Sequence, residues 1–226
     1  MGMLRGARSA ADVARPAQAR RVPHAVRASR GKEVADTRQS RGLEQFFASF
    51  RDQIGLSILD LGGARQENVN FITNLGHKFY SEDFLRIFQE MFGQDVADQS
   101  NPGQIDLFLR QGLEYPDQQF DGVLAWDVLE YMESPLLLAT TERLWRVLKP
   151  KGYLLAFFHS ADTKGNPRGH DFRIQDLRTL LVTEHTERIG SLQLFNNRAL
   201  EKLFQQFESV KFFLTRDHLR EVIIRK

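Results

Sequence analysis

Short apolar runs alternate with helically patterned segments from about residue 43 onward, and this alternation constrains the fold more than any other feature of the chain. The run Leu56–Leu61 (LSILDL) lies between Gly55 and Gly62, as expected of a strand buried on both faces. Gly62 and Gly63 predict a turn into a helix carrying Val69, Phe71, Ile72 and Leu75, with Gly76 at its end. His77–Tyr80 reads as a second strand, and Ser81 as the N-cap of a helix bearing Phe84, Leu85, Phe88, Met91 and Phe92 up to Gly93. Gln104–Leu109 is expected to be a third strand and Phe120–Trp126 a fourth. Ser134 and Pro135 open a helix with Leu137, Thr141, Leu144 and Leu148 on one face, and Lys149–Gly152 turns into a fifth strand, Tyr153–Phe158.

Strands and helices in this order imply right-handed crossovers. The predicted fold is α/β, a Rossmann-like, mostly parallel sheet with helices on both faces. The ending breaks the pattern. A helix over Asn196–Phe207 precedes two strands, SVKFFLT and REVIIRK, joined only by the short polar RDHL. A parallel return needs a crossover of a dozen or more residues, so these two form a C-terminal antiparallel hairpin.

Leu43, Phe46, Phe47 and Phe50 follow helix spacing and mark the start of the folded body, taken as residues 41–226. Residues 1–40 are rich in Arg and Ala, contain no aromatic residue, and read as a disordered basic tail. Residues 1–50 hold ten Lys and Arg against four Asp and Glu, so the pI near 9.0 reports mainly the tail. Nucleic acid is therefore not expected as a partner. The absence of cysteine excludes disulfides, thiolate nucleophiles and cysteine-held metals. The histidines are scattered and no metal-ligand motif occurs, so no metal is expected. The longest apolar runs fall far short of the roughly 20 residues of a membrane span. A cytoplasmic location is expected, with organellar import through the Arg-rich tail as the alternative.

The stretch Tyr115–Phe158 runs from a Pro-acid turn into an FD strand (Phe120, Asp121) and a D-V-L-E loop (Asp127, Val128, Leu129, Glu130). An amphipathic helix and R-V-L-K-P-x-G (Arg146, Val147, Leu148, Lys149, Pro150, Gly152) follow. With LDLGG at 59–63 and the terminal antiparallel pair, this resembles the class I S-adenosylmethionine-dependent methyltransferases over about residues 56–226. The resemblance implies a site at the carboxyl ends of the strands, where the sheet order reverses. It implies S-adenosylmethionine as cofactor and methyl transfer to a small-molecule acceptor.

By the same resemblance, Asp60 would face the cofactor's ammonium, and Gly62 and Gly63 would let the backbone come close. The family turn D-x-G-x-G-x-G has Ala64 and Gln66 here at its two later glycines. Glu82 and Asp83 are the candidates for the ribose hydroxyls, although acids in the first turn of a helix are also favoured by its dipole. Gln111 stands where the family often has an Asp beside the adenine. Asp127 is assigned to both cofactor and acceptor, with Glu130 and Tyr131 next to it. His159 and His170 are candidate general bases in a long polar loop spanning 159–173. The departures at Ala64, Gln66 and Gln111 also fit a non-catalytic binding or regulatory module. A nicotinamide fingerprint would need glycine where Ala64 and Glu67 stand.

Overall fold

The computed structural model describes residues 35–93, 98–160, 169–185, 192–215 and 219–226. The first element is a strand, β1 (Ala35–Gln39), which turns at Ser40 into α1 (Arg41–Ala48). Ser40 caps that helix by accepting the Leu43 N–H at 3.0 Å, satisfying a donor that a helix start leaves over. The chain continues through β2 (Ser57–Asp60), α2 (Gln66–Asn74), β3 (Lys78–Ser81), α3 (Phe84–Phe92), α4 (Pro102–Leu113) and β4 (Phe120–Trp126). A 3-10 turn at Val128–Tyr131 leads to α5 (Ser134–Val147) and β5 (Leu148–His159). Last come β6 (His170–Ile174), β7 (Thr179–Glu184), α6 (Asn197–Leu203), β8 (Ser209–Phe213) and β9 (Leu219–Arg225).

The main sheet has six strands in the order β3-β2-β4-β5-β9-β8. β3, β2, β4 and β5 run parallel, while β9 pairs antiparallel with both β5 and β8. The predicted α/β fold and its terminal hairpin are therefore present. Successive residues of a strand point to opposite faces, and the two faces bury two separate cores. Leu59, Val123, Leu154, Ala156 and Phe158 pack with residues of α3, α4, α5 and α6. Ile58, Leu124, Leu155, Phe157 and Ile223 pack instead with α1, α2 and the strands β6 and β7.

Gly122 sits in the middle of this arrangement. A Cβ built on it would lie 2.6 Å from Phe46 Cζ and 3.0 Å from Ile58 Cδ1. Phe46 and Phe50 stand edge-to-face 5.2 Å apart over the same spot, so the α1 aromatics occupy the space that a side chain would need. Gly122→Ala is expected to destabilise the fold by roughly 1–3 kcal/mol through overpacking, read as a lower urea midpoint at unchanged m-value.

The structure corrects four details of the sequence reading. Gln104–Leu109 is part of α4 and not a strand, because Asn101 accepts the Gly103 and Gln104 N–H groups and Pro102 occupies the first helical position. Ile105, Phe108 and Leu109 then fall on helix spacing and pack in the first core. The α3 cap is Asp83, which accepts the Arg86 N–H at 3.1 Å, while Ser81 is the last residue of β3 and pairs with Asp60. Residues 35–39, assigned to the tail, form β1, which runs antiparallel to β7; residues 1–34 lie outside the described residues. The segment read as a polar loop contains β6, paired with β7, so a second sheet of order β1-β7-β6 stands beside the first. Residues 161–168 of that segment lie outside the described residues. No helix among the described residues is long and apolar enough to cross a membrane.

Candidate active site

The carboxyl ends of β2, β3 and β4 and the start of β6 converge on one small space. Gly62, Arg65, Asp83, Trp126, Asp127, His170, Asp171 and Phe172 are among the residues that line it, and its volume is about 40 Å³. The sequence candidates Gly62, Asp83, Asp127 and His170 meet there. Asp60 and Gly63 lie directly behind, while Glu130 and His159 stand one imidazole further back. Gln111 is exposed on α4 and does not belong to this group.

Asp60 is fully buried at the end of β2. Its Oδ1 accepts the Gly62 N–H at 2.8 Å and the Trp126 Nε1–H at 2.6 Å, and its Oδ2 accepts the Asn68 amide at 2.8 Å. Burial pushes this carboxyl up to about 6, against the opposing pull of those three donors and Arg65. A carboxyl raised in the folded state holds its proton more tightly there than when unfolded. Its contribution is thus fully present below its ordinary value of 3.8 and is lost as pH rises to about 6. Between pH 4 and 6.5 the wild type is expected to lose up to about 3 kcal/mol that Asp60→Asn does not lose. Urea unfolding across that range checks the difference in slope, and equal slopes would exclude it.

Gly63 takes the left-handed conformation, φ 83°, that glycine adopts without cost, and its N–H donates to the Glu82 carbonyl. Gly62 answers to a neighbour instead. A Cβ there would lie 2.8 Å from Trp126 Cδ1 and 3.2 Å from Asp60 Oδ1. Ala64 and Gln66, the departures from the family turn, are both exposed and crowd nothing. Of the two ribose candidates, Glu82 accepts the Tyr115 hydroxyl, while Asp83 caps α3 and faces Gly63.

Two carboxylate–imidazole pairs lie beyond β4 and β5. Glu130 is fully buried and accepts both the His159 backbone N–H and, at 2.7 Å, a contact with His159 Nδ1. Burial pushes Glu130 up to about 7, with His159 pulling the other way. Burial pulls His159 down, but Glu130 and Asp127 outweigh it and the imidazole is raised. The two groups lie within hydrogen-bond distance and titrate as a coupled pair.

Asp127 Oδ2 accepts the His170 N–H at 2.8 Å, and His170 Nδ1 lies 3.5 Å from the same oxygen, too far for a second hydrogen bond. The His159 and His170 rings stack 5.4 Å apart. Asp127 Oδ1, His170 Nδ1, His185 Nε2 and the Tyr131 hydroxyl are all buried without a hydrogen-bond partner among the described residues. Gly169 leaves room for that hydroxyl, since any side chain there would overlap it.

Sequence reasoning missed Trp126, Asn68, Arg65 and Phe172. Trp126 carried a signal, being a bulky aromatic at the end of a strand where a ligand was expected. The cofactor implied by the resemblance finds the right chemical groups here, an acid on β2 followed by two glycines and acids after β3, but not the room. Ligand sites run to about 300–1,000 Å³, whereas the space among the described residues is about 40 Å³ and holds only a few waters. In this conformation the residues do not fit it.

A family model described as a methyltransferase domain matches residues 27–208. No curated protein matches the sequence significantly. Among solved structures, Burkholderia thailandensis 1,6-didemethyltoxoflavin-N1-methyltransferase, with 1,6-didemethyltoxoflavin and S-adenosylhomocysteine bound, is 16% identical. That match covers 82% of this chain and 76% of its own at a TM-score of 0.47. An S-adenosylmethionine-dependent methyltransferase from Mesorhizobium loti is 14% identical over 80% of this chain and 96% of its own, at 0.47. One from Archaeoglobus fulgidus is 14% identical over 81% and 91%, at 0.45. At such scores the assignment rests on the family match, which spans most of the described domain. The chain belongs to the methyltransferase domain family and is an S-adenosylmethionine-dependent methyltransferase.

Proposed function

We propose that this methyltransferase acts on a small molecule bearing an O–H or N–H group, received beside Asp127 with His170, His159 and Glu130 handling its proton. The observation that supports this most is Asp127 Oδ1, a carboxylate oxygen on a residue with 0% exposure and no donor among the described residues. Leaving such an oxygen unpaired costs about 1–3 kcal/mol or more, a cost offset when a ligand supplies the donor. Asp127 accepts that hydrogen bond and orients the acceptor. The His170 backbone N–H donates to Asp127 Oδ2 and its ring stacks on His159, whose Nδ1 lies 2.7 Å from Glu130. A proton leaving the acceptor therefore has the His170 imidazole within reach, with the Glu130–His159 pair packed behind that ring. Closure of the space by β6 and the Trp126 ring supports a small acceptor over a polymer, which would need an open groove.

The test is mass spectrometry of ligands that copurify with the protein, followed by S-adenosylhomocysteine release against a panel of small alcohols, phenols and amines. No release with any class, alongside measurable cofactor binding, would replace this reading with a non-catalytic binding module. That second reading is favoured by the complete use of the Asp60 oxygens within the chain. A cytoplasmic location goes with the proposed activity, the alternative being organellar import through the Arg-rich segment.

A further inference from the structure

The carboxylate assigned to a cofactor cation is already answered by the chain itself. Trp126 lies at a break in the β4 register, where Leu124 pairs with Leu155 and Trp126 with Ala156, and its φ is +50°. A bulky residue in that left-handed conformation is strained and persists only where its surroundings hold it. They do so from three sides. The indole N–H donates to Asp60 Oδ1, the ring stacks on Phe172 at 5.1 Å and 9°, and its edge covers Gly62.

β6 is held down by equally local bonds. Asn68 donates to Asp60 Oδ2 and to the Phe172 carbonyl and accepts the Ile174 N–H, joining α2, β2 and β6 through one side chain. At the rim, Arg65 pairs with Asp171 at 2.5 Å, and both side chains are partly exposed. The cavity that remains is about 40 Å³.

We propose that Trp126 and β6 form an internal plug in which the indole N–H takes the place of a cofactor donor on Asp60. Cofactor entry then requires the Trp126–Phe172 stack to leave and the Arg65–Asp171 pair to open. The inference rests on S-adenosylmethionine being the cofactor, and it sets how tightly the cofactor binds. An intrinsic affinity is reduced by the fraction of molecules with the plug out, so loosening the plug tightens binding.

The chain has two tryptophans, and Trp145→Phe leaves Trp126 as the sole indole reporter. Titrating that variant with S-adenosylhomocysteine is expected to shift the Trp126 emission to the red and open it to acrylamide quenching. By calorimetry, Asp171→Asn is expected to bind S-adenosylhomocysteine roughly twofold to fivefold tighter than wild type, the range a partly exposed ion pair can hold back. Phe172→Ala is expected to bind up to roughly tenfold tighter. Asp171→Asn, at the rim, serves if Phe172→Ala does not fold. Binding at equal affinity in all variants with Trp126 emission unchanged overturns the plug and leaves the cofactor assignment standing. No binding by wild type or any variant overturns both.

Discussion

Glu221→Ala is expected to lower the unfolding free energy by about 3–5 kcal/mol, the range seen when one partner of a buried ion pair is removed. Glu221 has 0% exposure. Its Oε2 accepts the Gly42 N–H at 2.5 Å and its Oε1 pairs with Arg38 at 3.1 Å. Arg38 also donates to the Leu219 carbonyl and lies over the Phe157 ring. This single carboxylate ties the β1–α1 corner to β9. A Cβ on Gly42 would come within 2.9 Å of it, so the helix start is fitted around the acid. Alanine removes the carboxylate from beside a buried guanidinium, strips the Gly42 N–H of its acceptor and leaves a gap. In a domain of this size the loss corresponds to a melting temperature lower by roughly 6–20 °C. Glu221→Gln keeps an acceptor for Gly42 and is expected to cost less. A loss under 1 kcal/mol for Glu221→Ala would show that the corner is held by packing alone.

Asp127→Asn is expected to lower methyl transfer by about 100-fold or more, within the range of 10²–10⁴ typical of a positioned acid–base or orienting group. The fold should survive, because an amide oxygen can still accept the His170 N–H that Asp127 Oδ2 accepts now. The amide brings no negative charge to the acceptor, and its NH₂ points a donor where an acceptor was wanted. S-adenosylhomocysteine release with the acceptor found in the panel, together with a calorimetric cofactor titration, separates the effects. A loss in turnover with unchanged cofactor affinity places the defect at the acceptor. Turnover within threefold of wild type would remove Asp127 from the proposed role.

The parts of the fold that could be read from the sequence are those whose burial leaves a local trace. β2, β4 and the Tyr153–Phe158 part of β5 lie between two cores and are written as near-continuous apolar runs. β1 could not be read this way. Its residues, ADTRQ, are mostly exposed, and it becomes a strand only by pairing with β7. β6 and β7 did carry alternating apolar residues, Phe172 and Ile174 and then Leu180 and Val182, but punctuation by Gly165, Pro167 and Gly169 favoured a loop over 159–173, and no element was assigned to 179–184. QIDLFL has no period long enough to separate strand from helix, and the decision came from Asn101 and Pro102 upstream. At the site, Asp60, Gly62, Asp83, Asp127 and His170 were named by their places after strands, a rule the topology obeys. Gln111 stands apart from them because its supposed strand is a helix. Trp126 and Phe172 reach Asp60 directly or through Asn68 across long stretches of chain, and no local pattern encodes such a meeting.

Gln39 and Thr179, whose side chains bond at 3.1 Å between β1 and β7, are 140 residues apart along the chain. Closing a loop of that length has to precede any reward from the contacts it makes, so pairings of this kind form slowly. β2, β3 and β4 meet through much shorter connections. A nascent chain therefore pairs β2, β3 and β4 before β1 can meet β7. The same separation weakens the pairing in the finished protein, and amide exchange should find β1 and β7 opening well before the central strands.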